Sequence, residues 1–219
     1  MTQNDRKTPP LTVLDVSRWQ GRIDWDAVQR SGKIDGVMLR TVATNASYGG
    51  IYIDPTFEKN YWGCVEAGLP VGAYYYTKGT TIDYATKELA KLKVALEGKT
   101  FTLPIAVDVE DPSLKALSPE SLAQLVKMEA KQIEAWGLYA MVYTYTNFAD
   151  TALAMHELTN FDLWIADYRS KRPSRKHGMW QYTSKGSVPG VNGVVDLNHA
   201  YKDYPGIIKR AGLTQLKEV

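Results

Sequence analysis

One cysteine in 219 residues, Cys64, rules out an intrachain disulfide, so the fold must rest on packing. The three histidines, His156, His177 and His199, lie too far apart for a zinc motif, and with a lone cysteine they make no metal cluster. Neither a metal nor any other cofactor is expected. Charge of neither sign is in excess: 26 basic residues stand against 24 acidic ones, a formal net charge of +2, which gives little support to a nucleic-acid partner. Only Arg169 to Lys176 gathers cations, with Lys171, Arg172 and Arg175 between; it reads as a solvated loop or as a contact for an anionic polymer. The longest apolar runs are strand-sized, far short of the roughly 20 residues a membrane-spanning helix needs, so no membrane partner is expected. Met1 to Pro10 is polar, carries Asp5, Arg6 and Lys7, and has no apolar core of a signal peptide. Also missing are the glycine patterns of dinucleotide and phosphate loops, the G-x-S-x-G elbow of serine hydrolases, internal repeats and low-complexity linkers.

What is present is a rhythm. Short runs rich in Val, Ile, Leu and Tyr occur at Leu11 to Val16, Gly36 to Leu39, Val71 to Tyr76, Leu103 to Val109, Tyr139 to Thr144, Leu163 to Ala166, Gly178 to Tyr182 and Val194 to Leu197. These eight runs predict barrel strands, and the length suits a single α/β barrel. Between them, Asp24 caps a helix ending near Gly32, Asp54-Pro55 opens one ending near Gly68, Asp83 opens one ending near Gly98, and Ser118-Pro119 begins one ending at Gly137. Ile82, Ala85, Leu89, Leu92 and Leu96 form one stripe for packing on a sheet, and Leu122, Leu125, Val126, Ile133 and Trp136 form another. A strand-then-helix alternation predicts parallel strands. After Phe148 the helical signal weakens, and Tyr168 to Gly193 is rich in Ser, Gly, Pro and basic residues, so the helical shell is expected to be incomplete. The organisation read from this is a polar extension over 1–10, one barrel over 11–211 and a tail over 212–219, in a monomer. Tyr204 to Val219 reads as a closing helix or a trailing segment.

The chemistry concentrates in Pro104-Ile105-Ala106-Val107-Asp108-Val109-Glu110-Asp111-Pro112. A strand throws residues i and i+2 onto one face, so Asp108 and Glu110 point together, with Cα atoms roughly 6 to 7 Å apart. Either the strand has ended and both acids are solvated, or this is the paired-acid equipment of a glycosidase. Asp15 closes the first run and Asp196 the last. First and last strands of a barrel are neighbours, so these two acids can approach, raise each other's proton affinity and flank the central pair. Aromatic residues crowd the same ends: Trp19, Tyr74, Tyr75, Tyr76, Tyr143, Tyr145, Trp164, Tyr168, Trp180 and Tyr182. They suit either barrel core or sugar stacking, with an apolar face for C–H groups and a polar tip for hydroxyls.

Taken in order, Asp15-Val16-Ser17-Arg18-Trp19-Gln20-Gly21 with Ile23-Asp24-Trp25, the acid pair Asp108 and Glu110, Tyr143-Thr144, Trp164-Ile165-Ala166, Trp180-Gln181-Tyr182 and Val195-Asp196-Leu197-Asn198 carry a resemblance. From about Leu11 to about Ala211 the chain resembles the glycoside hydrolase family 25 lysozymes, the Chalaropsis-type muramidases of phage endolysins, bacterial autolysins and some fungi. The resemblance implies an irregular (β/α) TIM-like barrel of about eight strands that hydrolyses the β-1,4 bond between N-acetylmuramic acid and N-acetylglucosamine in peptidoglycan. It implies Glu110 as general acid, with a raised pKa, and Asp108 as an ionised stabiliser that either attacks the anomeric carbon or orients the 2-acetamido group. Asp15 and Asp196 are implied at the cleft floor, Tyr143 beside the intermediate, and Tyr74, Tyr76, Trp19, Trp164, Tyr168, Trp180, Tyr182 and Arg40 as substrate contacts. Peptidoglycan strands are the implied partner. The implied location is outside the cell at the wall, reached by holin-type release if the source is a phage or prophage.

Two departures stand out. Many relatives carry K/R-A-T-E-G after the second strand, where this chain reads Arg40-Thr41-Val42-Ala43-Thr44-Asn45, so its outer subsites are expected to differ. The family's frequent Y-H-F after the third strand is Tyr74-Tyr75-Tyr76 here. A carbohydrate-binding barrel without chemistry is an alternative that retention of Glu110 opposes. A chitinase is another, and Ile105-Ala106-Val107 before Asp108 lacks the acids of its longer signature.

Overall fold

Nine strands form one sheet in the computed structural model, which describes residues 9–169 and 171–217. They are β1 (Leu11–Val16), β2 (Gly36–Asn45), β3 (Gly50–Ile53), β4 (Val71–Tyr76), β5 (Ile105–Asp108), β6 (Ala140–Tyr145), β7 (Asp162–Ala166), β8 (Met179–Gly186) and β9 (Val195–Ala200). The order β1-β9-β8-β7-β6-β5-β4-β2 closes on itself because β2 also pairs with β1, giving an eight-stranded barrel. Around it lie α1 (Trp25–Arg30), α2 (Phe57–Glu66), α3 (Ile82–Leu96), α4 (Pro119–Ala135), α5 (Thr146–Thr151) and α6 (Tyr204–Ala211). Residues 1–8 of the expected polar extension and the last two of the expected tail lie outside the described residues.

The expectation of parallel strands holds from β1 through β8 within the barrel and fails at β9, which runs antiparallel to both β8 and β1. The cause is the Ser187–Val194 connection, too short for the dozen or so residues that a parallel crossover requires. β2 is longer than its apolar core suggested. Its extension past Leu39 pairs antiparallel with β3, a strand not expected from the sequence, so a hairpin stands above the barrel mouth. Asn45 Oδ1 accepts from Ser47 N at 2.8 Å, and Gly49 and Gly50 supply the positive φ values of 75° and 106° that turn the chain back.

Helix starts follow the expected chemistry at α1 and α4 and shift at α2 and α3: α2 begins at Phe57 after Thr56, which makes no side-chain cap bond, while Asp54 Oδ1 accepts from Thr56 N at 2.9 Å. Asp24 and Ser118 cap α1 and α4 through their side chains, whereas α3 is capped by Thr81, with Asp83 in its first turn. Ala85, Leu89, Leu92 and Leu96 are buried as expected, but Ile82, the first residue of α3, is 70% exposed. Thin coverage after Phe148 is also seen: α5 has six residues, and among the described residues no helix lies between β7 and β9.

Strand alternation sorts the side chains into two cores. Inside the barrel, Leu11, Val13, Met38, Leu103, Ala106, Met141, Met179 and Ala200 fill the bore, and Tyr204 and Ile208 of α6 pack with them. Outside, Val37, Leu39, Val71, Ile105, Val107, Val142 and their neighbours pack under the helices. A Cβ on Gly72 would stand 2.6 Å from both Met38 Sδ and Pro104 O, so the bore has no spare room there. Because the bore is solid, chemistry is confined to its rim. The chain beyond α6 stays bound to the barrel, with Phe101 N donating to Thr214 O at 2.7 Å and Lys217 N to Trp136 O at 2.8 Å.

Candidate active site

One layer above the methionines, the inward-facing positions turn polar. Asp15 ends β1, Asp108 ends β5, Glu110 follows two residues later on the same face, and Asp196 opens β9. All four line a cavity of about 160 Å³ together with Tyr74, Tyr143, Trp164, Tyr168 and Gln181. Asp196 reaches the mouth from the start of its strand rather than the end, since β9 runs against the others. The antiparallel register sets it directly opposite Asp15. A second depression of about 540 Å³ adjoins the first, sharing Glu110, Tyr143 and Tyr168 and extending over Tyr145, Thr146, Asn147, Asp150, Asp167 and Arg169. Glu110 therefore stands where the two compartments meet.

The acids are held in an environment that favours protons. Burial, then the charge of Asp196, raises Asp15 to about 7, against the opposing bonds from Asn198 and Gln181. Burial and the nearby Glu110 and Asp15 push Asp108 well above the usual carboxylate range, with Arg40 opposing. Glu110 is raised by burial and, less, by Asp196 and Asp111, while Tyr143 within hydrogen-bonding range opposes the rise. Asp196 is raised by burial. The expectation named a raised pKa for Glu110 alone; both members of the pair are raised, Asp108 by burial and the charges of Glu110 and Asp15, and Glu110 chiefly by burial. Asp108 Oδ1 is buried and bonded to nothing among the described residues.

Two amides organise this layer. Gln181 Oε1 accepts from Tyr143 Oη at 3.0 Å and Tyr168 Oη at 2.7 Å, and its Nε2 donates to Asp15 Oδ2 at 2.8 Å. Asn198 Nδ2 donates to Asp15 Oδ2 at 3.1 Å and to Val13 O at 3.0 Å, and its Oδ1 accepts from Trp164 Nε1 at 2.7 Å. Neither amide is among the residues the sequence reading placed in the site, although both lie in the quoted motifs. Strand alternation was the available signal: if Gln181 faces inward, Trp180 and Tyr182 cannot. Replacing Gln181 with Leu strands two phenols and removes a bond from Asp15. Turnover is expected to fall about ten- to a hundredfold, with the acid limb of the pH profile moving to higher pH as Asp15 holds its proton more tightly. An unshifted profile would detach Gln181 from Asp15 function.

The other expected contacts are spread more widely. Tyr74, Tyr143, Trp164 and Tyr168 line the cavity. Tyr76 donates to Asp111 Oδ2 at 3.0 Å, and Lys78 Nζ approaches the same oxygen at 3.0 Å. Burial pushes Asp111 up, but bonds from Ser113, Lys78 and Tyr76 outweigh it and leave that acid below its ordinary value. Arg40 is engaged by Asp54, Nε to Oδ2 at 2.9 Å. Trp180 and Tyr182 lie on the outer face of the barrel, Trp180 against Leu163, Ile165 and Ala149, and Tyr182 stacked on His199 at 4.3 Å. Trp19 is 73% exposed on a 3-10 turn, Arg18–Gln20, outside both depressions. Among the described residues no group of three or more His, Cys, Asp or Glu has the arrangement of a metal site, and no helix is long and apolar enough to cross a membrane.

A solid-bored barrel with convergent, proton-holding carboxylates at a polar cleft defines the glycosidase class of site. The profile of the glycosyl hydrolases family 25 matches residues 14–191, and the chain belongs to that family of glycoside hydrolases. It is 33% identical over 190 residues to the protein YegX of Escherichia coli (strain K12), covering 84% of this chain and 67% of that one. The autolytic lysozyme of Clostridium acetobutylicum is 30% identical over 187 residues, with 84% of this chain covered; the chain spans about half that relative's length, 54%. Among solved structures, the bacterial lysozyme of Streptomyces coelicolor superposes with a TM-score of 0.76 at 23% identity, over 94% of this chain and 98% of that one.

Proposed function

We propose that the protein is a peptidoglycan hydrolase, an N-acetylmuramidase acting on the glycan strands of the bacterial wall outside the cell. The observation that carries this is Asp108 Oδ1, a buried acceptor with no donor among the described residues, set with Glu110 in the cavity of about 160 Å³ that opens beside the larger depression. A 2-acetamido N–H is the donor that such an oxygen suits, and both sugars of peptidoglycan carry one. Donating to Oδ1 favours the ionised form of Asp108, so the proton shared by the pair moves to Glu110. Glu110 then protonates the glycosidic oxygen as the bond to the anomeric carbon breaks. The positive charge that develops on the sugar faces Asp108, with Asp15 and Asp196 adding negative field from the floor. Water completes the reaction at the anomeric carbon. The Tyr143 hydroxyl, which donates to Gln181 Oε1 at 3.0 Å, lies within reach of Glu110 and can turn its proton to the Glu110 carboxylate once that acid has protonated the leaving oxygen, in keeping with its lowering effect on Glu110. The lysozyme name of the clostridial relative supports the same substrate.

Digestion of purified peptidoglycan, followed by identification of the newly exposed reducing sugar, tests the reading. N-acetylmuramic acid at the new end is the expected result. N-acetylglucosamine at that end would overturn the bond assignment, and no new reducing end would overturn the activity.

A further inference from the structure

The hairpin made by β2 and β3 carries an aromatic group that the catalytic cavity does not use. Tyr48 and Tyr52 stack at 4.3 Å with an interplanar angle of 14°. The Arg18 guanidinium lies over Trp19 at 4.5 Å, Tyr48 at 4.7 Å and Tyr52 at 5.5 Å from the ring centroids. Arg18 Nε is shielded and bonded to nothing among the described residues, so ring faces rather than a carboxylate hold this cation. The result is a stacked platform of which the outer part is open, Trp19 being 73% and Tyr48 47% exposed, while Tyr52 is buried and backs Tyr48. One face of the indole is taken by Arg18, and the exposure of Trp19 belongs to the rest of the ring.

Its position gives the platform a purpose. Asp54 Oδ2 accepts from Arg18 N at 3.0 Å and from Arg40 Nε at 2.9 Å, and the charge of Arg40 acts on Tyr74 and Asp108 in the cavity. A single buried carboxylate thus ties the platform to the catalytic layer. In the closed order β1-β9-β8-β7-β6-β5-β4-β2, the β1/β2 edge that bears the platform is diametrically opposite the β6/β7 edge that bears the larger depression. The carboxylates lie between. A linear polymer held in the larger depression and crossing the acids leaves the mouth over Trp19 and Tyr48.

We propose that Trp19 and Tyr48, backed by Arg18 and the buried Tyr52, form an outer subsite that stacks a pyranose of the glycan strand not adjacent to the bond being cleaved. This rests on the reading of the cleft as a glycan site and adds a dependence on strand length. Exposed rings backed by a cation suit the C–H face of a neutral sugar, and among the described residues no carboxylate is paired with the guanidinium of Arg18.

The test uses the full chain carrying Glu110→Gln, so that ligands are not consumed, and β-1,4-linked N-acetylglucosamine dimers and hexamers as probes in calorimetry and tryptophan fluorescence. Hexamer is expected to bind more tightly than dimer, and adding Trp19→Ala is expected to cut the hexamer-to-dimer affinity ratio about tenfold. Trp19→Phe should restore most of the ratio, since a stacking face returns. Trp62→Ala, an exposed tryptophan on α2, should not change it. An unchanged ratio in Trp19→Ala, with the wild-type protein still releasing muramic-acid ends from walls, overturns the subsite alone. No binding of either oligomer together with no wall digestion overturns the subsite and the glycan reading together.

Discussion

Glu110→Gln is expected to lower turnover on peptidoglycan by about 10²- to 10⁴-fold, the usual contribution of a positioned general acid, while binding of glycan strands is retained. Gln is close in shape to Glu and can still bond to Tyr143, but it has no proton to give to the leaving oxygen. The substitution also removes one of the charges that push Asp108 upward, so Asp108 in the variant should ionise at lower pH. The measurements are initial rates of reducing-sugar release and the unfolding temperature. Rates within a few fold of wild type would take Glu110 out of the acid role, and a large fall in unfolding temperature would make the loss of activity uninformative about chemistry.

Glu129→Gln is expected to change how stability depends on pH, through a second acid pair on the outer side of the barrel wall. Glu88 of α3 and Glu129 of α4 are both fully buried and meet at Thr77 Oγ1, at 2.9 and 3.0 Å. Glu88 also accepts from Lys78 N at 3.0 Å, Gly79 N at 3.1 Å and Thr44 Oγ1 at 3.2 Å, so it is equipped to be an anion. Thr77 has one hydroxyl proton and cannot serve two carboxylates. Burial and the Glu88 charge raise Glu129 to about 8 against the opposing bonds from Tyr75 and Thr77, so Glu129 is the member of the pair that keeps its proton. Because the folded value lies above the unfolded one, the folded chain binds the extra proton between about 4.5 and 8. The stability from this group is complete below that window and is lost as pH rises through it, a change of a few kcal/mol. Unfolding temperatures of the two proteins should therefore diverge from pH 5 to pH 8.5, the wild type falling by several degrees more. Other titrating groups are common to both, so parallel curves would show that Glu129 does not hold the proton. The pair matters to the site, since Thr77 N also donates to Asp108 O at 3.1 Å.

The acids of the cleft were legible because strand chemistry is local. Asp108 and Glu110 share a face by the two-residue period, and each follows a run too apolar to be anything but buried. Tyr74 and Tyr76 obey the same period, which correctly leaves Tyr75 to the outer core. Asp196 reached the mouth by a route the sequence did not suggest, since a strand's direction depends on whether its connection can cross the barrel. Trp180 and Tyr182 were drawn to the site by their composition, and one inward glutamine between them sends both outward.

By itself the chain determined the number of barrel strands, the capping residues of α1 and α4 and the pair of carboxylates, all set by residues close together in sequence, and the order of its motifs carried the family. Only the tertiary structure decided that Asp15 faces Asp196, that Gln181 and Asn198 hold Asp15 from 166 and 183 residues away, and that Arg18 after β1 meets the rings of the β2–β3 hairpin. Those features depend on barrel closure, which brings distant strand ends into one small volume and which no local pattern encodes.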